Sequence, residues 1–403
     1  MSRIYLDHSA TTPLHPDVER AMIAALSSCG NPSSLHEEGR RARQAVESAR
    51  GQVARLIGAA SADVCFTSGG SESNSTALLG LGELAQKQGR PLHIVTSPLE
   101  HPSVLRPLRR LAERGFVLTE LPVDALGRID PSELRQVLRD RPASVVALAL
   151  VNHELGNVYP IAELSALAHE LGAWVHCDAV QATGKLPIDV RALGVDTLSL
   201  SAHKVYGPKG TGALYVAGPA QVAGGCGLSI SLPSLITGGE QERGRRAGTE
   251  NVAGIVGFGV AADLALRTLL PSVADLSARR DRLESGLLSL GGASPNGDRT
   301  SRSPSVCNVR FADVDGELLL SSLDLDGIAV STGAACSSGS SEPSQVLRAL
   351  GQSRQQAKEA IRFSLGQGTS DADIHRTLET VFAVVARIRA LGPAPVLTAA
   401  SAA

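Results

Sequence analysis

Lys204 closes the run Ser201-Ala202-His203-Lys204, directly after the apolar stretch Thr197-Leu198-Ser199-Leu200 and before Gly207-Pro208-Lys209-Gly210. A lysine at the end of a buried strand is poorly hydrated, and desolvation favours the neutral amine that condenses with an aldehyde such as that of pyridoxal phosphate. Upstream, Ala173-Trp174-Val175-His176-Cys177 reads as a short buried strand that delivers Asp178 and Gln181 to its carboxyl end. A carboxylate against a pyridine nitrogen keeps that nitrogen protonated, so the ring accepts the electrons released at a substrate α-carbon. Gln181 would hydrogen-bond the ring hydroxyl. Taken singly, Lys204 is a surface cation and Asp178 a turn or cap residue. Their spacing argues for chemistry.

Three further stretches supply the rest of such a site. The strand pattern Val64-Cys65-Phe66-Thr67 runs into Ser68-Gly69-Gly70-Ser71-Glu72-Ser73-Asn74 and then into an amphipathic helix. Glycines let the backbone approach an anion, a helix start offers unpaired N–H groups, and Ser71 adds a hydroxyl, which together describe a phosphate cradle. The plainer reading of the same residues is a capped helix start. His101, in Leu99-Glu100-His101-Pro102, offers a flat ring to stack on a pyridine; alone it is a loop histidine. Cys336 lies in Ser331-Thr332-Gly333-Ala334-Ala335-Cys336-Ser337-Ser338-Gly339-Ser340-Ser341, and small residues on both sides read as an accessible loop. Structural cysteines prefer apolar burial, so this thiol reads as reactive wherever its thiolate is favoured.

Together these residues resemble the group I cysteine desulfurases of the NifS/IscS type, within the class V aminotransferase family of fold-type I pyridoxal phosphate enzymes. The resemblance covers nearly the whole chain, from Tyr5-Leu6-Asp7-His8-Ser9-Ala10-Thr11-Thr12-Pro13 through Gly30-Asn31-Pro32-Ser33-Ser34 and Gly238-Gly239-Glu240-Gln241-Glu242-Arg243-Gly244-Arg245-Arg246-Ala247-Gly248-Thr249 to Ile361-Arg362-Phe363-Ser364-Leu365-Gly366. It implies that Lys204 is the Schiff-base lysine, Cys336 the nucleophile that receives sulfur, and His101 a proton donor and acceptor. Gly70, Ser71, Ser201 and His203 would hold the phosphate, and Asp178, Gln181 and His101 the ring. Arg362 would pair with the substrate carboxylate, a task suited to a guanidinium fork, with Asn31 assisting. Read locally, Arg362 is a core-edge salt bridge and Asn31 a turn residue. Thr249 would reach the phosphate of the neighbouring subunit, since family members are homodimers. The implied reaction takes L-cysteine to L-alanine and leaves a persulfide for a protein acceptor such as an iron–sulfur scaffold or a thiolation protein. Three features depart from the pattern. His153 stands where many members carry an asparagine near the cofactor hydroxyl, so its titration could couple to the cofactor. Gln367 replaces an arginine, and 220–232 is longer than its counterpart and reads as a surface insertion.

Strand patterns at 92–97, 143–151, 173–177, 197–200 and 212–216 alternate with helical spacing such as that of 162–171. Such alternation gives an α/β fold, a mostly parallel sheet flanked by helices with the site at the strand carboxyl ends; the resemblance makes it the pyridoxal-phosphate-dependent transferase fold type I. Beyond 264 the pattern changes to a long helix, a loop at 291–302 and strands at 306–311 and 328–331. The expected organisation is a large cofactor-binding domain over 16–263, a smaller α+β domain from 1–15 and 264–392 carrying the cysteine loop, and a disordered Ala/Pro/Ser-rich tail over 393–403. At 403 residues and 43% hydrophobic content the chain is long enough for two domains. A net charge of −2 gives no general attraction to nucleic acid. No N-terminal stretch has the apolar core of a signal peptide and no run reads as long enough to cross a membrane, so a cytoplasmic protein is expected. Six scattered cysteines without a CxxC pair disfavour a metal site and a disulfide framework, and Cys65 and Cys177 read as core fillers.

Three alternatives stay open at this stage: a selenocysteine lyase sharing the fold and cofactor, another class V aminotransferase or β-lyase that uses Lys204 without a cysteine nucleophile, and a sulfur-handling scaffold without turnover.

Overall fold

The apolar runs 145–149, 174–178, 197–201 and 212–216 are buried at every residue, as strands covered on both faces must be. In the computed structural model, residues 3–218, 230–333 and 342–391 are described. The strands follow the chain as β1 (Ile4–Tyr5), β2 (Val64–Thr67), β3 (His93–Thr96), β4 (Val117–Glu120), β5 (Val145–Ala149), β6 (Trp174–Asp178), β7 (Thr197–Ser201), β8 (Gly212–Val216), β9 (Ala293–Asn296), β10 (Val306–Phe311), β11 (Ile328–Ala329) and β12 (Ala360–Ser364). β2 to β8 build a seven-stranded sheet in the order β2-β8-β7-β6-β5-β3-β4. Only β8 runs against its neighbours, pairing antiparallel with β2 and β7, so the sheet is mostly parallel. Strand register does the positioning: β6 and β7 are adjacent with Asp178 opposite Ser199, which brings Asp178 and the Ser201–Lys204 turn to the same end of the sheet. Ligands in sheets of this kind bind outside the strand carboxyl ends.

Apolar side chains from both faces of this sheet form the main core, while a separate apolar cluster gathers Ile4 and Leu6 with Leu283, Val309, Phe311, Ile361, Phe363 and Val381. In that second cluster β1 pairs with β11, and β10 lies between β12 and β9. The segment 291–302, expected to be loop throughout, contains β9, whose four residues pair antiparallel with β10. Its Gly291-Gly292 start and Pro295 hid the strand signal.

Helix Val252–Leu264 continues through a wide turn at 265–269 and a tight one at 270–272 into helix Val273–Leu288. The combined stretch Val252–Leu288 is long and apolar enough to cross a membrane by length and composition, contrary to the sequence expectation that no run qualifies. Packing explains its apolarity. Helix Val252–Leu264 lies against helices Pro16–Leu26 and Glu37–Leu56, with Gly257 and Gly259 admitting the close approach of Met22 and Ala49. At the end of the long segment 220–232, Ile230 and Leu232 pack against the apolar cluster of helix Gly70–Lys87, so this part is not a loose surface addition. Residues 219–229, Cys336 and the tail over 393–403 lie outside the described residues.

Candidate active site

A cavity of about 350 Å³ opens at the carboxyl ends of β5, β6 and β7, within the size range of small-molecule sites. Its walls bring together Gly70, Ser71, His101, His153, Asp178, Gln181, Ser201, His203, Lys204 and Arg362. With Ser9 and Ala10 also in the lining, residues up to 353 positions apart (9 to 362) thus meet around one space.

Each side chain is placed by its local structure. Gly70 begins helix Gly70–Lys87, and a Cβ there would come within 2.7 Å of Val180 Cγ2, so the close approach of helix start to the turn after β6 requires glycine. Asp178 ends β6, where its Oδ1 accepts from Val180 N at 2.9 Å and its Oδ2 from Asn74 Nδ2 at 2.8 Å. Lys204 follows β7 in a tight turn, and its Nζ donates to Ser9 O at 2.5 Å and Ala10 O at 2.8 Å. Gln181 Nε2 also donates to Ser9 O, at 2.9 Å, while its Oε1 accepts from Lys185 Nζ at 3.0 Å. His203 Nδ1 meets Thr11 Oγ1 at 3.1 Å. The N-terminal segment therefore packs directly on the lysine turn.

Burial dominates the electrostatics. It holds the His101 imidazolium below its ordinary range, with Asp178 pulling partly the other way, and pushes His153 well below. His203 falls to about 4 and Lys185 to about 7, both through desolvation first and the nearby Lys204 ammonium second. The two imidazoles His101 and His153 stand edge to face with centroids 5.1 Å apart. Arg362, 2% exposed, gives Nη2 to Asp7 Oδ1 at 2.9 Å and Nη1 to the His153 carbonyl at 2.8 Å; its buried Nε has no acceptor among the described residues.

Asn31 and Thr249 are not part of this cavity. Asn31 is exposed and its Oδ1 accepts from Ser33 N at 2.9 Å, a local turn. Thr249 is exposed at a separate hollow of about 200 Å³ beside Ser68 and Gly210. Cys336 lies outside the described residues, between Gly333, which lines the cavity, and Ser344, whose hydroxyl donates to buried Glu154. Sequence reasoning missed Asn74, Ser103, Lys185 and the Ser9–Ala10 carbonyls. Asn74 follows Gly70 by four positions on one helix, so helical periodicity held a signal for it, whereas Lys185 lies in the turns after β6 and gave none. Backbone carbonyls carry none.

The residues fit pyridoxal phosphate. An acid already hydrogen-bonded through both oxygens suits the pyridine nitrogen, an amide the ring hydroxyl, an amine the aldehyde, and a helix start with Ser71, Ser201 and His203 the phosphate. The class-V aminotransferase model matches residues 4–377. The cysteine desulfurase IscS of Dictyoglomus turgidum is 43% identical over 392 residues, 97% of this chain and 96% of that one. Among solved structures, a NifS-like protein superposes with a TM-score of 0.86 at 32% identity, covering 96% of this chain and all of that one. SspA in complex with cysteine superposes with a TM-score of 0.77 at 33% identity, covering 90% and 98%. With a family match over residues 4–377 and relatives above 40% identity along the whole length, the chain belongs to the class-V aminotransferases, pyridoxal phosphate enzymes, and within them to the cysteine desulfurases.

Proposed function

We propose that the protein takes sulfur from L-cysteine at this cavity, releases L-alanine and leaves the sulfur as a persulfide on Cys336. The observation that carries the reading is the meeting of Lys204, Asp178 and His101 around one space at the carboxyl ends of β6 and β7. Bound there, the cofactor would supply an electron-withdrawing ring that stabilises negative charge at the substrate α-carbon. With the cofactor bound, Asp178 would hold a proton at the ring nitrogen, Gln181 would hydrogen-bond the ring hydroxyl and His101 would cover the ring. The Lys204 amine removes the α-proton, a role for which its neutral form is required. Arg362 receives the substrate carboxylate. The Cys336 thiolate then attacks the substrate sulfur: a sulfur–sulfur bond forms, the carbon–sulfur bond breaks, and its electron pair and a proton remain on the product carbon.

Thr249, exposed beside the helix start that cradles the phosphate, suits a contact with a second copy of the chain, so a homodimer completes the site in this reading. The persulfide passes to a protein acceptor, of which an iron–sulfur scaffold is one, in line with the IscS name of the Dictyoglomus relative. Cys29, Cys65, Cys177 and Cys307 are free thiols, which suits a reducing cytoplasm. The test compares wild type with Cys336→Ala for alanine and sulfide release from L-cysteine with a reductant, while recording the visible absorption of the bound cofactor. Retained absorption with lost sulfide release supports the reading. Sulfide release at the wild-type rate refutes it in favour of a β-lyase.

A further inference from the structure

The hydrogen bonds that hold Asp178 continue beyond it, and chemistry sets the direction of each. Asn74 Nδ2 donates twice, to Asp178 Oδ2 at 2.8 Å and to Ser103 Oγ at 2.9 Å. Turned over, the amide would aim its own oxygen at a carboxylate that only accepts. The same orientation leaves Asn74 Oδ1 to accept from His176 Nε2 at 3.0 Å, and His176 Nδ1 meets Thr197 Oγ1 at 2.9 Å. Asn74, His176 and Thr197 are fully buried, so unmade bonds here would be costly.

Ser103 Oγ, having accepted from Asn74, has its own proton to give, and His101 Nδ1 lies 2.7 Å away. The Ser103 backbone N–H points at the same nitrogen from 3.1 Å, because His101 is the N-cap of helix Pro102–Ala112. A nitrogen that receives two donors carries no hydrogen, and a neutral imidazole places its single proton on the other nitrogen. Burial keeps this ring in its neutral form near neutral pH. The charged and titratable groups around it are Asp178, Lys204, Arg106 on its own helix and His153 edge to face.

We infer that Asn74 and Ser103 are positioning residues: the chain Asp178–Asn74–Ser103–His101 holds His101 as the tautomer protonated on Nε2, so that the ring meets the cavity as a fixed hydrogen-bond donor and not as a base. Proton removal is then left to Lys204. The assignment of that role rests on the desulfurase reading above; the tautomer itself rests on the hydrogen bonds alone.

Nitrogen-15 spectra of histidine-labelled holoenzyme test it, with the His101 signals identified by their loss in His101→Gln. The wild type is expected to show His101 protonated on Nε2. In Ser103→Ala the Nδ1 signal moves toward that of an imidazole nitrogen with one donor fewer, and Ser103→Thr, which keeps the hydroxyl, returns it. A wild-type proton on Nδ1, or a Ser103→Ala spectrum that coincides with wild type, overturns the inference. An active desulfurase with the wrong tautomer sinks this inference alone, and the expected tautomer in an enzyme that releases no sulfide sinks the functional role and leaves the hydrogen-bond assignment standing.

Discussion

Replacing Glu242 by alanine should be among the most destabilising single changes in this protein, because its carboxylate is the hub of a buried cluster. Arg50 forks onto it, with Nη1 2.5 Å from Oε2 and Nη2 2.9 Å from Oε1, and the side chains of the pair are 4% and 2% exposed. Oε2 also accepts the Phe66 backbone N–H at 2.8 Å, which ties the loop before helix Val252–Leu264 to β2. Arg50 has further partners in Glu47, the Val64 carbonyl and the Phe66 ring, so its charge stays buried when Glu242 is lost. Breaking a buried pair from one side costs about 3–5 kcal/mol, and because the half-exposed Glu47 carboxylate still faces Arg50 Nε at 3.1 Å the loss here should fall toward the lower end of that range. That is a large part of a total stability of about 5–15 kcal/mol. The backbone adds to the argument: Glu242 and Arg243 sit at φ 49° and 60°, left-handed values that the ion pair must hold in place, seven and six residues before Thr249. The assay is denaturant unfolding of the holoenzyme followed by tryptophan fluorescence, with Arg50→Met/Glu242→Leu beside the single variant. The double variant should recover most of the loss, because no buried charge is left. A single variant within about 1 kcal/mol of wild type, or a double variant no better than the single, would refute this account.

Three other outcomes follow from the geometry. Gly70→Val should lose about 1–3 kcal/mol through overpacking on Val180, measured by unfolding, and Val180→Ala should restore it; loss without restoration would point to the helix start and not the clash. Asp7→Ala removes a charged hydrogen bond from Arg362 worth about 1.5–3 kcal/mol, so KM for L-cysteine should rise by roughly tenfold or more with a smaller change in kcat; an unchanged KM would separate Arg362 from substrate binding. Lys185 has its pKa lowered to about 7 by burial, well under an unfolded value of 10.5. Between those limits the unfolded state binds more protons, so this group's contribution makes stability rise with pH from about 7 to 10.5, and below 7 the full cost of burying the ammonium applies. Lys185→Met should therefore gain in thermal midpoint relative to wild type at pH 6.5, and the gap should narrow by pH 9; a constant gap would show that Lys185 is not titrating there.

Much of the site was readable in the chain because its parts are local. Lys204 follows an apolar strand, Asp178 ends another, and Gly70-Ser71 opens a helix, so each reports its own place through short-range patterning. The sheet was legible for the same reason: 212–216 and 306–311 are strands over those same residues, and 92–97 and 143–151 contract by one to two residues at each end to β3 and β5. β9 was not, because its Ala-Ser-Pro-Asn sequence has no strand preference and only pairing with β10 makes it one.

By itself, the sequence determined which groups are present, their chemistry and the end of the sheet at which they emerge, since strand and helix periodicity are local properties. Tertiary structure decided who meets whom. The Asp7 partner of Arg362 is 355 positions away, the carbonyls that hold Lys204 come from Ser9 and Ala10, and Asn74 reaches both Asp178 and Ser103. The direction of a buried hydrogen bond depends on every partner at once, so the tautomer of His101 and the burial that shifts Lys185 exist only when all of these segments have packed together.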